Sequence, residues 1–193
     1  MVPLRTFIAV DIPPTTLQSI QQKVEPLQKA IGNSTIRWVP IRNFHLTLKF
    51  LGDISPDNVD ALTRILHTEA DSCQRFDLHV GGLGSFPNSK RPRVLFIGIQ
   101  APAGLEALQR GIESAAAKLG YKSESRAFSP HLTIGRVRDS ATSADQQRIH
   151  KAMEEVKIDS LGTARVDSVH LYKSELKPTG SVYTKLFSAP LQT

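Results

Sequence analysis

Apolar residues recur along this chain in two rhythms, one of period two and one near 3.6, and the switches between them mark its elements. Phe7-Ile8-Ala9-Val10 reads as a strand closed by Pro13-Pro14. Leu17, Ile20, Val24 and Leu27 then follow at helical spacing, which predicts a helix over 15–30 stopped by Gly32-Asn33. A strand comes next over 44–51, then a helix over 56–70 with Pro56 tolerated in its first turn, then strands near 76–83 and 93–99. The remainder predicts a helix over 102–119, a strand over 131–138, a helix over 143–156 and strands near 163–173 and 181–188. No low-complexity stretch interrupts the series, so the 193 residues read as one compact domain.

Two of these strands nearly repeat each other. His45-Leu46-Thr47-Leu48-Lys49-Phe50 and His131-Leu132-Thr133-Ile134-Gly135-Arg136 stand 86 residues apart (45 to 131). Side chains of a strand alternate between faces, so the His and Thr of each copy share one face while the aliphatics between them face a core. The repeat extends further: Phe7–Pro13 aligns with Phe96–Pro102 at an offset of 89 (7 to 96). The expected architecture is therefore α+β and bilobal, a pseudo-two-fold duplication over halves of about 5–99 and 94–188. Antiparallel sheets would face a central groove, with the two His-x-Thr strands across it from one another.

Paired histidines with paired threonines suit phosphodiester chemistry. An unperturbed imidazole titrates near pH 6.5, so one copy can serve as acid while the other serves as base. Threonine hydroxyls can donate to non-bridging oxygens, and arginine adds fixed positive charge. Five residues after its histidine, one copy carries Phe50 and the other Arg136; an aromatic ring and a guanidinium across a cleft could sandwich a base. His67, His79, His150 and His170 lack a repeated partner and read as surface or supporting groups.

Other chemistries find no pattern. Neither motif carries a carboxylate or cysteine at ligand spacing, and no His-Glu-x-x-His, Gly-x-Ser-x-Gly or phosphate-binding Gly-x-x-x-x-Gly-Lys occurs. No metal and no cofactor is expected. Net charge is +6, with basic residues gathered at Lys90-Arg91-Pro92-Arg93 and at Arg136 and Arg138, which favours a polyanionic partner. The single cysteine, Cys73, reads as an inert thiol. With no apolar run of about 20 residues, the expectation is a cytoplasmic monomer with no membrane partner.

The motifs Arg5-Thr6-Phe7-Ile8-Ala9-Val10, Phe44–Gly52, Ser129–Arg136 and Leu171–Leu176, with Gly180 and Tyr183, resemble the 2H phosphoesterase superfamily. Within it the chain looks most like the LigT-like RNA 2′,3′-cyclic phosphodiesterases of bacteria and archaea. That resemblance implies hydrolysis of an RNA terminal 2′,3′-cyclic phosphate to a 2′-phosphate. It implies His45 as proton donor, His131 as proton acceptor, Thr47 and Thr133 on the phosphate oxygens, and Phe50 and Arg136 flanking the terminal base. Gly135 departs from the alanine expected there. Two alternatives stay open: a 2′–5′ RNA ligase or 2′–5′ oligonucleotide phosphodiesterase, and a non-catalytic nucleotide- or RNA-binding module.

Overall fold

A computed structural model describes residues 2–178 and 180–193. Its strands, in chain order, are β1 (Leu4–Asp11), β2 (Ile36–Trp38), β3 (His45–Ile54), β4 (Phe76–Phe86), β5 (Val94–Gln100), β6 (His131–Val137), β7 (Ser160–Val166), β8 (Ser168–Lys177) and β9 (Gly180–Pro190). The helices are α1 (Pro14–Ile31), α2 (Val59–Asp71), α3 (Ala103–Lys118) and α4 (Ser143–Glu155). Pro56 opens a short 3₁₀ turn just ahead of α2, so the proline sits before the helix and not inside its first turn.

Two antiparallel sheets result. One has four strands in the order β3-β1-β8-β9, the other five in the order β2-β6-β5-β4-β7. Helices α2 and α3 cover the first sheet through Leu62, Leu66, Leu105, Leu108 and Ile112; α1 and α4 pack together, and α1 also packs against β7 of the second, through Ile20, Val24 and Leu27. Each sheet thus has one face sealed by helices. Leu46, Leu132 and Ile134 lie fully inside that core and Leu48 nearly so, as alternation within the two motif strands requires.

Each sheet draws strands from both halves of the sequence. β8 from the second half pairs with β1, and β4 from the first pairs with β7. The single strand expected over 163–173 is in fact two: the chain leaves the five-stranded sheet after Val166 and joins the four-stranded one at Ser168. β2 has no signature in the sequence, because three residues are too few to show a period.

Pseudo-symmetry governs the centre of the fold. β1 pairs antiparallel with β3 as β5 pairs with β6. Asp11 stands opposite His45 where Gly98 stands opposite His131, and Ala9 opposite Thr47 where Phe96 stands opposite Thr133. The structural offset is therefore 87 (11 to 98), two residues short of the offset read from the aligned apolar runs. It agrees better with the spacing of the motifs themselves.

Candidate functional site

His45 and Thr47 lie on the uncovered face of β3, and His131 and Thr133 on that of β6; all four are partly buried. β3 and β6 come into contact where the two sheets meet. The hydroxyls of Thr47 and Thr133 make no hydrogen bond to the described residues. Thr6, by contrast, is buried on β1 with its hydroxyl unpaired.

Five is an odd number, so strict alternation would turn Phe50 and Arg136 toward the core. A β-bulge prevents this in both copies. Along β3 the register steps from Thr47, opposite Ala9, to Lys49, opposite Ile8, leaving Leu48 without a partner. Along β6 it steps from Thr133, opposite Phe96, to Gly135, opposite Leu95, leaving Ile134 without one. Each extra residue resets the alternation, so Lys49 and Gly135 take core-side positions while Phe50 and Arg136 return to the face of the histidines. Phe50 is 67% exposed there. Lys49, buried, is held by Glu113 Oε1 at 2.7 Å and by the Lys122 carbonyl at 3.0 Å.

Gly135 is explained by its neighbours. A Cβ built there would lie 2.8 Å from Ile36 Cγ2 and 3.0 Å from Cε3 of Trp38, whose ring is pinned by an Nε1 hydrogen bond to the Gly32 carbonyl at 3.1 Å.

Both imidazoles are oriented by the same device. His45 Nδ1 donates to the carbonyl of Asn43 at 2.8 Å, and His131 Nδ1 donates to the carbonyl of Ser129 at 2.7 Å, each two residues upstream. Because a carbonyl only accepts, the proton of a neutral ring stays on Nδ1 and Nε2 keeps its lone pair. Neither Nε2 bonds to the described residues, so both are available to a ligand. Aromatic rings brace them: Phe7 stacks on His45 at 4.6 Å with Tyr183 edge-on at 5.2 Å, and Phe86 and Phe96 flank His131 at 5.0 and 5.3 Å.

The electrostatics of the two differ. Burial draws His45 below the ordinary histidine range; the Asn43 carbonyl and the charge of Asp11 oppose this, and His131 adds to it. Burial also lowers His131, opposed by the Ser129 carbonyl, but there the neighbouring charge is Arg136, which lowers it further. Each histidine thus has its own charged neighbour, of opposite sign.

Beside His45 opens a cavity of about 340 Å³ lined by Asp11, Arg42, Asn43, Tyr172, Tyr183 and Lys185 among others. His45, Tyr172 and Tyr183 of this wall fall in the motifs read from the sequence, whereas Asp11, Arg42, Asn43 and Lys185 do not. Asp11 could have been found by extending the period-two pattern of β1, whereas Lys185 carries no local signal. Of the remaining histidines, His67 pairs with Asp71 on the surface at 2.8 Å, His150 approaches Glu154 at 3.5 Å, and His79 is exposed. His170 is buried on β8. Cys73 is also buried, and burial pushes its thiol up. Among the described residues no group of three His, Cys, Asp or Glu side chains is placed to hold a metal ion.

Residues 12–178 match the 2′-5′ RNA ligase superfamily. The chain belongs to that family. It is 32% identical over 185 residues to an Archaeoglobus fulgidus protein named RNA 2′,3′-cyclic phosphodiesterase, covering 95% of this chain and 98% of that one. A Methanothermobacter thermautotrophicus protein of the same name is 29% identical over 183 residues, covering 95% and 96%. Among solved structures, E. coli LigT complexed with 3′-AMP superposes with a TM-score of 0.79 at 27% identity, covering 99% of both chains. A Thermus thermophilus protein gives 0.79 at 28%, covering 97% of both. These superpositions bear out the expected LigT-like α+β fold. No described helix is long and apolar enough to cross a membrane.

Proposed function

We propose that the protein hydrolyses the terminal 2′,3′-cyclic phosphate of RNA to a 2′-phosphate, using His45 as acid and His131 as base. The observation that carries this is the pair of histidines whose Nδ1 atoms are fixed by backbone carbonyls, leaving two Nε2 atoms free on neighbouring strands. Membership of the family and the names of the relatives support the substrate class.

In the reaction, neutral His131 Nε2 takes a proton from water as its oxygen bonds to phosphorus. Protonated His45 Nε2 gives its proton to the 3′ oxygen as that P–O bond breaks. The 2′ ester remains, and one proton exchange with solvent at each ring restores the starting state. Thr47 and Thr133 donate to the non-bridging oxygens as charge builds on them. Phe50 and Arg136 hold the terminal base between ring and guanidinium.

A polynucleotide is favoured over a free nucleotide by a second arginine. Arg37 on β2 lies directly opposite Arg136 on β6, and both are exposed. Like charges directly across two strands repel, so an arrangement of this kind calls for an anion between them. Among the described residues neither guanidinium has a carboxylate partner. The loop after β4 adds Lys90, Arg91 and Arg93; Arg93 pairs with Asp139 at 3.1 Å, and its carbonyl accepts from Val137 N, next to Arg136. An RNA strand leaving the groove across this end meets a run of positive charge.

The test is turnover of an oligonucleotide ending in a 2′,3′-cyclic phosphate, in EDTA, with identification of the product. A 2′-phosphate is expected, and His45→Ala and His131→Ala should each lower kcat by about 10²–10⁴-fold. A 3′-phosphate product, or full activity in either variant, would refute the assignment. The family's ligase name favours one second reading: if a 5′-hydroxyl replaces water, the same step forms a 2′–5′ linkage, which nicked RNA would reveal as a joined product.

A further inference from the structure

The two His-x-Thr copies are equivalent in fold, yet their chemistry requires one imidazole to hold a proton while the other lacks it. The wall of the cavity beside His45 contains what makes them unequal. Asp11 lies directly opposite His45 on the neighbouring strand and lines the same cavity. Directly opposed residues of an antiparallel pair have Cβ atoms about 5 Å apart on one face, close enough for their charges to interact. At the matching place opposite His131 stands Gly98. A Cβ there would lie 2.9 Å from the carbonyl oxygen of Gly81, where the β-bulge of β4 presses against β5, so the His131 copy has no room for a carboxylate. The fold admits this negative charge on one side only.

Asp11 is also held in place. Tyr172 donates to its Oδ1 at 2.6 Å and Lys185 to its Oδ2 at 2.9 Å. Lys185 extends to Nε2 of buried His170 at 3.4 Å, which in turn meets Ser168 Oγ at 3.3 Å. Tyr172 stacks on Phe7, and Phe7 stacks on His45, so carboxylate and imidazole share one rigid support. Burial and the bond to Asp11 push the Tyr172 hydroxyl up, and it stays a donor. Burial raises the Asp11 carboxyl, but the bonds from Tyr172 and Lys185 outweigh this and keep it charged.

We propose that Asp11 is the positioning residue that makes His45 the acid of the pair: its fixed carboxylate stabilises the His45 imidazolium, while Gly98 leaves His131, beside Arg136, to act as the base. The proposal rests on the cyclic-phosphodiester reading above. The groups facing His45 are Asp11 on β1, His170 and Tyr172 on β8, Tyr183 and Lys185 on β9, Arg42 in the turn before β3, and His131 on β6. Of these, Asp11 is the one carboxylate, and Lys185 neutralises part of its charge.

Asp11→Asn keeps the shape and an acceptor for Tyr172 but removes the charge. The alkaline limb of the kcat/KM pH profile, which reports the free enzyme's acid, should then move down by about one pH unit with the acidic limb in place. Lys185→Met should move it the other way, because Asp11 then acts uncompensated. A purely structural role for Asp11 would give both variants the same sign, or shift neither limb. NMR titration of the His45 ring should show the same opposed shifts without turnover. Unmoved His45 titration in Asp11→Asn, or movement of the acidic limb instead, would overturn the proposal. A wild-type enzyme inert on cyclic ends whose His45 still responds to Asp11→Asn would instead sink the substrate reading and leave the charge coupling standing.

Discussion

At the scale of single residues, burial and a backbone carbonyl act on each histidine in opposite directions, and burial wins at both His45 and His131. Their folded values lie below the value near 6.5 of an unfolded chain. As pH falls through about 6.5 the unfolded state takes up protons that the folded state resists, so stability is full above that point and declines below it. Thermal melts from about pH 7.5 to 5 should show this decline, and the H45N/H131N double variant should lose part of the slope. An unchanged slope would assign the acid sensitivity to other groups, with buried His170 the first to examine, since burial lowers it as well. Much of this was readable beforehand: two apart on a strand means one face, so His and Thr had to stand together. The asymmetric charges were not, since alternation puts Asp11 on the face of Phe7 but only the pairing of β1 with β3 sets it beside His45.

At the scale of elements, the paired bulges at Leu48 and Ile134 are what bring Phe50 and Arg136 into the site. The twin motifs differ mainly in what they present just past the bulge. In the first, Lys49 reaches back through the core to Glu113; in the second, Gly135 makes way for the Trp38 ring. Gly135→Ala should therefore cost about 1–3 kcal/mol through overpacking against Ile36 and Trp38, seen as a lower denaturant midpoint. An alanine variant as stable as the parent would show that Trp38 can move aside despite its bond to Gly32. The helices were legible almost to their ends, because an apolar stripe against a sheet is a strong local signal. The strand over 163–173 is divided only by a slip of one residue in phase, from core-facing Ala164 and Val166 to Val169 and Leu171, and with no glycine or proline at Asp167-Ser168 to mark it the local pattern reads as one strand.

For the whole molecule, charge and topology combine. Net charge of +6 gains a location where Arg37 and Arg136 stand opposite each other on β2 and β6. On a cyclic-phosphate oligonucleotide kcat/KM should fall steeply with salt, and Arg37→Gln should reduce the log–log slope by about one, the loss of one phosphate contact. Losing as much on a nucleoside 2′,3′-cyclic monophosphate would place Arg37 at the terminal nucleotide instead of along the RNA. Neither half of the sequence holds all the strands of a sheet, so the groove exists only when both are in place.

The sequence by itself determined the order of the elements, the duplicated His-x-Thr pair and the face each copy presents, because these follow from the periodicity of a strand or helix over a few residues. Tertiary structure alone decided the register. It placed the structural offset at 87 instead of 89, added the bulges that turn Phe50 and Arg136 into the groove, and set Asp11 beside His45 but Gly98 beside His131. Tyr172 and Lys185 lie 161 and 174 residues from the aspartate they hold. Which strands pair, and at which residue, is settled by contacts across that distance, and no local pattern records it.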